Sequence, residues 1–461
     1  MKKLIFSLGI LCLFQANSQE VLSLSDAIQI GLQRNYGIQI EQGNVQVAEN
    51  NNNWGEAGRW PTLTLNLNQN NSITDNVKVA NPFSLQGQIQ SNSVVPSINL
   101  NWNIFDGFRA NMSKKRLEQL QAETHGNASI VIANTLQSII LGYYLAVLEN
   151  ERLEEFAKQL SLSRDKYQYV KIKSDLGGAV TTDVLLEEGN YLTDSINYIN
   201  QELAYRNAIR DLNVLLAERT ISKQYQFADS LNIADEAYQI EPLRSRMLNE
   251  NVDLKKQYIT QAILGTATSL SRASQYPTLT FNAGFSENRG RNDLSRTSSG
   301  RFQQDSLSRN PSAVFIPDFT NPLSSVTDTY FANFTLSFTL FNGGKIKRAI
   351  NNAIVNERVG ELRVEQMETS LDRDLHTALD RYNSRRQLYA INALRESSAR
   401  TNLELSEEKF KNGSINSFDY RDVQNNYLSS SILKLQATYN LINSKVELMR
   451  LTGGLIREYS Q

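Results

Sequence analysis

The stretch Arg59-Trp60-Pro61-Thr62-Leu63-Thr64-Leu65 returns as Gln275-Tyr276-Pro277-Thr278-Leu279-Thr280-Phe281, and this duplication decides the fold class. Asn35 and Asn251 keep the same offset, 216 residues. Beyond them Phe105-Asp106-Gly107 returns as Phe341-Asn342-Gly343, now 236 residues on. Gly177, Asp183, Asn190 and Tyr191 match Gly413, Asp419, Asn426 and Tyr427 at that same 236. The offset therefore changes once, by 20 residues, between the two strands of a hairpin. Helices bound by a shared geometry keep their length, while a strand-to-strand loop is free to grow. Each half reads helix, strand, loop, strand, long helix, turn, helix.

The strands declare themselves by a period of two. Leu63, Leu65 and Leu67 alternate with Thr and Asn, and Ile98, Leu100, Trp102 and Ile104 with Asn99, Asn101 and Asn103. Leu279, Phe281 and Phe285 oppose Thr280, Asn282 and Gly284; Phe334, Leu336, Phe338 and Leu340 oppose Asn333, Thr335, Ser337 and Thr339. The pattern predicts four strands of about 8–12 residues, the span of a tilted bilayer crossing. A soluble sandwich would alternate in the same way. The loops, about 71–93 and 288–329, are rich in Asn, Ser, Gly and Arg, as exposed loops are. All eight prolines lie outside the tracts 97–241 and 323–461, so very long helices fit there. Ile132, Leu136, Ile140, Tyr143 and Val147, like Met367, Leu371, Leu375, Leu379 and Tyr382, trace stripes of coiled-coil type. From Gly107 to Ser174 such a helix would span about 100 Å.

Composition narrows the function classes. With 47 basic and 48 acidic side chains the chain lacks the basic excess of a nucleic-acid binder. A mean hydropathy of −0.41 is too polar for a polytopic helical membrane protein, but does not exclude a β-barrel, whose strands show only half their residues to lipid. Lys2 and Lys3, the apolar run Leu4 to Phe14 and Ala16-Asn17-Ser18 read as a secretory signal peptide, residues 1–18. It carries Cys12, the single cysteine, so the mature chain relies on no disulfide. A hairpin joined to helices at both ends keeps all its helices on one side. Four strands cannot close a barrel alone, so a membrane-crossing chain must pool them with other copies.

In these residues the chain resembles the TolC-type outer-membrane efflux proteins over nearly its whole mature length. The resemblance rests on Leu22-Ser23-Leu24-Ser25-Asp26-Ala27-Ile28, on Trp60-Pro61, on Phe105-Asp106-Gly107 and Phe341-Asn342-Gly343, and on the two Gly-x5-Asp turns. It implies an α+β membrane protein: a homotrimer with a 12-stranded outer-membrane β-barrel, four strands per chain, continuous with a long periplasmic α-helical barrel. The first repeat would be 19–245, with a β-hairpin at 61–105, a tip turn near 177 and an equatorial segment at 219–245. The second would be 246–461, with a β-hairpin at 277–341, a tip turn near 413 and the C-terminal tail. The chain would be a passive exit duct set in outer-membrane lipid. Its partners would be a periplasmic adaptor (membrane fusion protein) and an inner-membrane transporter, with drugs, metals, metabolites or secreted polypeptides as cargo.

Ser23 with Asp26 reads as an N-cap pair, and Gly107 and Gly343 as flexible residues where strand becomes helix. Gly177, Gly178, Gly413 and Ser414 would meet the adaptor. Asp419 and Asp422 fall, by the resemblance, where efflux ducts place aspartates in the periplasmic mouth; their i, i+3 spacing puts them on one helix face. The first half keeps Asp183 but has Leu186 at the second position. Aspartates there could equally complement the helix dipole. Phe410 and Ile415 stand where the best-known relatives latch the closed state with Tyr and Arg. No catalytic, cofactor or metal site is expected: His125 and His376 lack ligand spacing, Gly177-Gly178 is no phosphate loop, and Glu187 and Glu188 read as a solvated face. The rival reading is a periplasmic coiled-coil adaptor or scaffold; an ordinary porin would need many more strands.

Overall fold

The computed structural model describes residues 20–76, 86–234, 236–298 and 322–459, which fall into two compact units. The signal peptide and the loop segments 77–85 and 299–321 lie outside the described residues.

The first unit comprises the described residues up to Val47, Ala122–Thr260 and those from Glu361 on. It holds β1 (Glu20–Leu22), α1 (Leu24–Arg34) and most of α2 (Tyr36–Asn51). The unit ending at Gly360 owns the remainder of α2, with β2 (Thr62–Asn76), β3 (Gln86–Phe105) and the start of α3 (Arg109–Asp175). The first unit resumes with the rest of α3, then α4 (Thr181–Leu215), β4 (Tyr225–Phe227), α5 (Ile240–Glu250) and the start of α6 (Val252–Ala273). The second carries β5 (Thr278–Ser298), β6 (Leu323–Ser337) and the start of α7 (Lys345–Lys411); α8 (Ser417–Leu451) returns to the first.

In the sheet-bearing unit the antiparallel order is β2-β3-β5-β6. Register converts four separate alternations into one surface. Leu65 lies opposite Ile98, Ile98 opposite Phe285, and Phe285 opposite Tyr330; Trp102 faces Phe281, which faces Phe334. Ring pairs Phe281–Phe334 and Phe285–Tyr330 sit 4.7 and 4.8 Å apart across β5 and β6. The reverse face is polar, with Asn101 opposite Asn282 and Asn282 opposite Asn333, and Asn101 donating to the Asn282 amide oxygen at 2.8 Å. The strands are 15, 20, 21 and 15 residues long, well beyond the expected 8–12. Their extra residues are mainly Asn, Gln, Ser, Thr, Asp and Arg, with only scattered apolar ones such as Ile73 and Leu294, and so carry no sustained apolar alternation. Backbone pairing holds them in the ladder all the same. The loops are correspondingly shorter than 71–93 and 288–329, and β6 ends at Ser337, before Phe338 and Leu340.

The helical unit has a core built around α3. Leu136, Ile139, Ile140 and Tyr143 are buried against Ile209, Leu212 and Leu216, with Ala27 and Ile28 of α1. Tyr143 bonds the Asp229 carboxylate at 2.8 Å, and burial with that carboxylate pushes the phenol well above its usual range. A second cluster joins Met247 and Leu254 to Leu375, Tyr382, Leu441 and Leu448. Among the described residues only α3 contains a stretch long and apolar enough to cross a membrane, and α3 supplies Leu136, Ile139, Ile140, Tyr143, Ala146 and Val147 to the first core. Ser23 caps α1 reciprocally with Asp26, as its sequence indicated. Asn35 accepts from Gly37 N–H at 2.9 Å and donates to Leu215 O at 3.0 Å; Asn251 accepts from Leu254 N–H and donates to Leu451 O, both at 2.9 Å.

Candidate functional site at the tip turns

Two short turns join the paired long helices, and both close in the same way. Gly178 N–H donates to Lys173 O at 2.8 Å and Gly177 N–H to Ser174 O at 2.9 Å. In the second half Ser414 N–H donates to Lys409 O at 2.8 Å and Gly413 N–H to Phe410 O at 3.0 Å. This is the Schellman cap, which needs a left-handed residue at its centre. Gly177 and Gly413 supply it at φ 76° and 72°. A Cβ at either would meet nothing within 4 Å, so the requirement there is conformational and not steric.

The following helices begin differently. The Asn416 side chain accepts the Asp419 N–H at 2.9 Å and caps α8, whereas Val180 offers α4 no side-chain cap. Asp419, the third residue of α8, is exposed, and so are Asp422 and Asp183. Asp419 lies in the first turn, where a carboxylate complements the helix dipole; Asp422 lies beyond it.

Behind these exposed carboxylates lies a buried ionic network that ties α8 to α3 and α4. Lys166 Nζ meets Glu187 Oε1 at 3.1 Å, with side chains 7% and 2% exposed. Ser417 Oγ donates to the same carboxylate at 2.5 Å, and Lys166 also donates to Ser417 O at 3.2 Å. The ammonium sits 5.3 Å from the Phe410 ring centre and 5.7 Å from that of Tyr420, and these rings stack 4.8 Å apart. Burial pulls the Lys166 ammonium below the ordinary lysine range, with Glu187 opposing. One turn further on, Arg421 grips Asp194 with two bonds of 2.7 Å, the carboxylate being 4% exposed.

Glu187 is thus no part of a solvated face. Steps of seven along α4 run from Glu187 to Asp194 and on to Ala208, a residue of the core, so both carboxylates occupy the inward seam of the heptad. Heptad phase was the signal that would have found them; acidic identity masked it. Of the two positions without latch residues, Phe410 stacks on Tyr420 and Ile415 lines a cleft of about 630 Å³ shared with Tyr169, Lys173, Asp183 and Phe418. His125 and His376 are exposed on their helices.

Residues 243–454 match the sequence model of a family described as outer membrane efflux protein. No curated protein matches the chain. Solved structures do. The CmeC outer membrane channel of Campylobacter jejuni superposes with a TM-score of 0.71 at 14% identity, covering 94% of this chain and 85% of that one. The MtrE outer membrane channel of Neisseria gonorrhoeae gives 0.67 at 16% identity, over 94% and 89%. The outer membrane protein VceC of Vibrio cholerae gives 0.65 at 11% identity, over 94% and 96%.

Proposed function

We propose that the chain, which matches the outer membrane efflux protein family over 243–454 and shares its fold with outer membrane channels, forms the exit duct of a tripartite efflux pump or type I secretion system. It resides in the outer membrane and extends into the periplasm, and passes substrates from an inner-membrane transporter and a periplasmic adaptor to the exterior. The observation that carries this reading is the sheet, with one continuous apolar face, one polar face, and edges β2 and β6 that no other strand covers among the described residues. An open edge in lipid leaves backbone groups unpaired. Three copies joining β2 to β6 would remove all edges and close a barrel of twelve strands with its polar face to the lumen. An adaptor would have no use for such a sheet. Native mass spectrometry of the detergent-extracted complex should give a trimer; a monomer or dimer would sink the proposal.

Within that assembly the two halves, 19–245 and 246–461, act as structural repeats, a reading supported by the matched Asn35–Leu215 and Asn251–Leu451 bonds. The segment 219–245 and the C-terminal tail form the equatorial belt, and Gly177, Gly178, Gly413 and Ser414 form the adaptor-facing tip. The connections from β2 to β3 and from β5 to β6 face the exterior, so cysteines at Ser84 and Ser306, which lie outside the described residues, should label in intact cells. Asp419 and Asp422 line the periplasmic mouth as two stacked rings of three carboxylates that attract cations. Their exposure and the position of Asp422 beyond the first turn favour this over a purely capping role. Replacing both by Asn should weaken multivalent-cation block of single-channel current and lower cation selectivity. Unchanged block would return them to the helix dipole.

A further inference from the structure

The two 67-residue helices begin against electrostatic custom. First turns favour acidic residues, because the helix N-terminus carries partial positive charge. Asp26, Asp183, Glu241, Asp253 and Asp419 obey this in α1, α4, α5, α6 and α8. Helices α3 and α7 have no acidic residue in the first turn, and only α3 has one just ahead of it, where Asp106 accepts Ala110 N–H at 3.0 Å. The sequence holds no Asp or Glu from Gly107 to Leu117 or from Phe341 to Asn356, yet it places Arg109, Lys114, Lys115 and Arg116 in the first segment and Lys345, Lys347 and Arg348 in the second.

Three of these cations converge. Arg109 and Arg116 of α3 and Lys345 of α7 line a cleft of about 570 Å³ with the hydroxyls of Ser113 and Ser271. Leu270 and Ile346 give it an apolar wall, and no carboxylate lines it. Arg109 is steered by one bond, from its guanidinium to Ser274 Oγ at 2.7 Å, which leaves most of its five donors for something else. Arg116 and Lys345 form no ion pair among the described residues, and both are exposed. By contrast Lys114, outside the cleft, is met by Asn52 and Glu118.

The cleft opens at one depth. It begins four residues after β3 ends at Phe105, beside the exposed aromatics Trp60, Trp102, Phe108 and Tyr276. Aromatics at the end of a membrane strand mark the level of the headgroups, and cations just beyond them meet lipid phosphate. Gly107 (φ 71°) seats this junction tightly: a Cβ there would lie 2.4 Å from Ala273 O, so the end of α6 forms the floor on which α3 starts.

We propose that this cleft binds the phosphate of an anionic glycerophospholipid from the periplasmic leaflet of the outer membrane. Arg109, Arg116 and Lys345 contact the phosphate, Ser113 one of its free oxygens, and Leu270 and Ile346 the first methylenes of an acyl chain, while the Ser271 hydroxyl stays on Ala267 O. Two basic helix starts would otherwise repel one another, and the start of α7, which lacks the carboxylate that Asp106 gives α3, would oppose its own dipole; a bound anion relieves both. The lipid would thereby fix the angle at which the long helices leave the barrel. The assignment rests on the reading that the strands cross the outer membrane.

The test uses the full trimer extracted from the outer-membrane fraction, delipidated in detergent and titrated with phosphatidylglycerol, phosphatidylcholine or inorganic phosphate under native mass spectrometry. Wild type should retain phosphatidylglycerol in preference to phosphatidylcholine. The R109Q/R116Q/K345Q variant should bind it on the order of 100-fold more weakly, about fivefold for each cation. The charge-keeping variant R109K/R116K/K345R should stay within several-fold of wild type. Should the triple Gln variant assemble poorly, R116Q and K345Q singly carry the test, since neither side chain has a structural partner to lose. Unchanged phosphatidylglycerol affinity in the Gln variants overturns the proposal, and so does equal retention of phosphatidylcholine. Inorganic phosphate binding as tightly as the lipid would assign the cleft to a free anion and overturn the lipid. A trimer missing from the outer-membrane fraction would instead count against the membrane-duct reading.

Discussion

The two tip turns share a backbone and almost nothing else. Both close by the same pair of cap bonds around a left-handed glycine. Both leave the matched Asp183 and Asp419 in solvent, but the first half also buries Glu187 and Asp194, while the second exposes Asp422. Across the 236-residue offset Arg421 replaces Leu185, Val423 replaces Glu187, and Ser430 replaces Asp194. The Lys166–Glu187 pair lies within the first half, while Arg421 and Ser417 reach Asp194 and Glu187 from the second, so the network ties one half to the other. Duplication fixes geometry; divergence at a few seam positions turns two like hairpins into donor and acceptor.

The largest expected effect comes from making the second half like the first. Arg421→Leu leaves Asp194 buried with only the Gln159 amide at 3.4 Å, and should destabilise the helical unit by about 3–5 kcal/mol in denaturant unfolding. A loss below about 1 kcal/mol would mean that the exchange between halves matters little. Lys166→Met should cost a similar amount, since it strands Glu187, yet K166M/E187M should come back to within about 1 kcal/mol of wild type because the desolvation of both charges vanishes together.

Where the halves agree, substitutions should agree. Gly177→Val and Gly413→Val each force a β-branched residue to positive φ and should cost about 1–2 kcal/mol, equally in both turns. On the reading that these turns meet the adaptor, export should fall while the amount of trimer holds. Smaller still are the caps: Asn416→Ala should lose about 1 kcal/mol, and Val180→Asn should gain up to that much by giving α4 the cap it lacks.

The smallest effect is a pH slope. Burial disfavours the charged form of Lys166, so its folded pKa lies below its unfolded one. Between the two the unfolded chain binds more protons, and unfolding free energy contributed by this group rises with pH in the alkaline window just under the ordinary lysine range. Thermal unfolding across that window should give wild type a more positive slope than K166M. Equal slopes would mean that Lys166 titrates as a solvated lysine.

What could be read from the sequence was whatever depends on local periodicity. The proline-free tracts hold α3, α4, α7 and α8, the Ser23–Asp26 cap is formed, and Leu63, Leu65 and Leu67 do share a face. Strand ends were not legible, because Asn, Ser and Asp in the outer reaches of β2 and β5 are held by backbone pairing that leaves no trace in side-chain alternation. Nor was the pairing of β3 with β5, which joins residues as far apart as Asn101 and Asn282 and turns four stripes into one face. At the tip, the glycine turns came from the repeat's spacing, and Asp419 and Asp422 from the resemblance, their spacing giving only a shared helix face. Lys166, Glu187, Asp194 and Arg421 came from neither, since a charge on a helical seam resembles a surface charge until the partner helix is in place.

The short parallel pair β1–β4 carries a consequence for the order of events in folding. Leu22 O accepts from Ala228 N–H at 3.0 Å, and Leu24 N–H donates to Asp229 across 205 residues of chain, the same aspartate that Tyr143 holds. The first core therefore cannot seal until residue 229 has arrived, long after α1, the first hairpin and both long helices of the first half. Such non-local closure is slow, because the loop entropy is lost before the contacts reward it. Through that interval the apolar stripe of α3 stays open to wrong partners. A chain translocated in order must be shielded in the periplasm until its middle emerges and fastens its beginning.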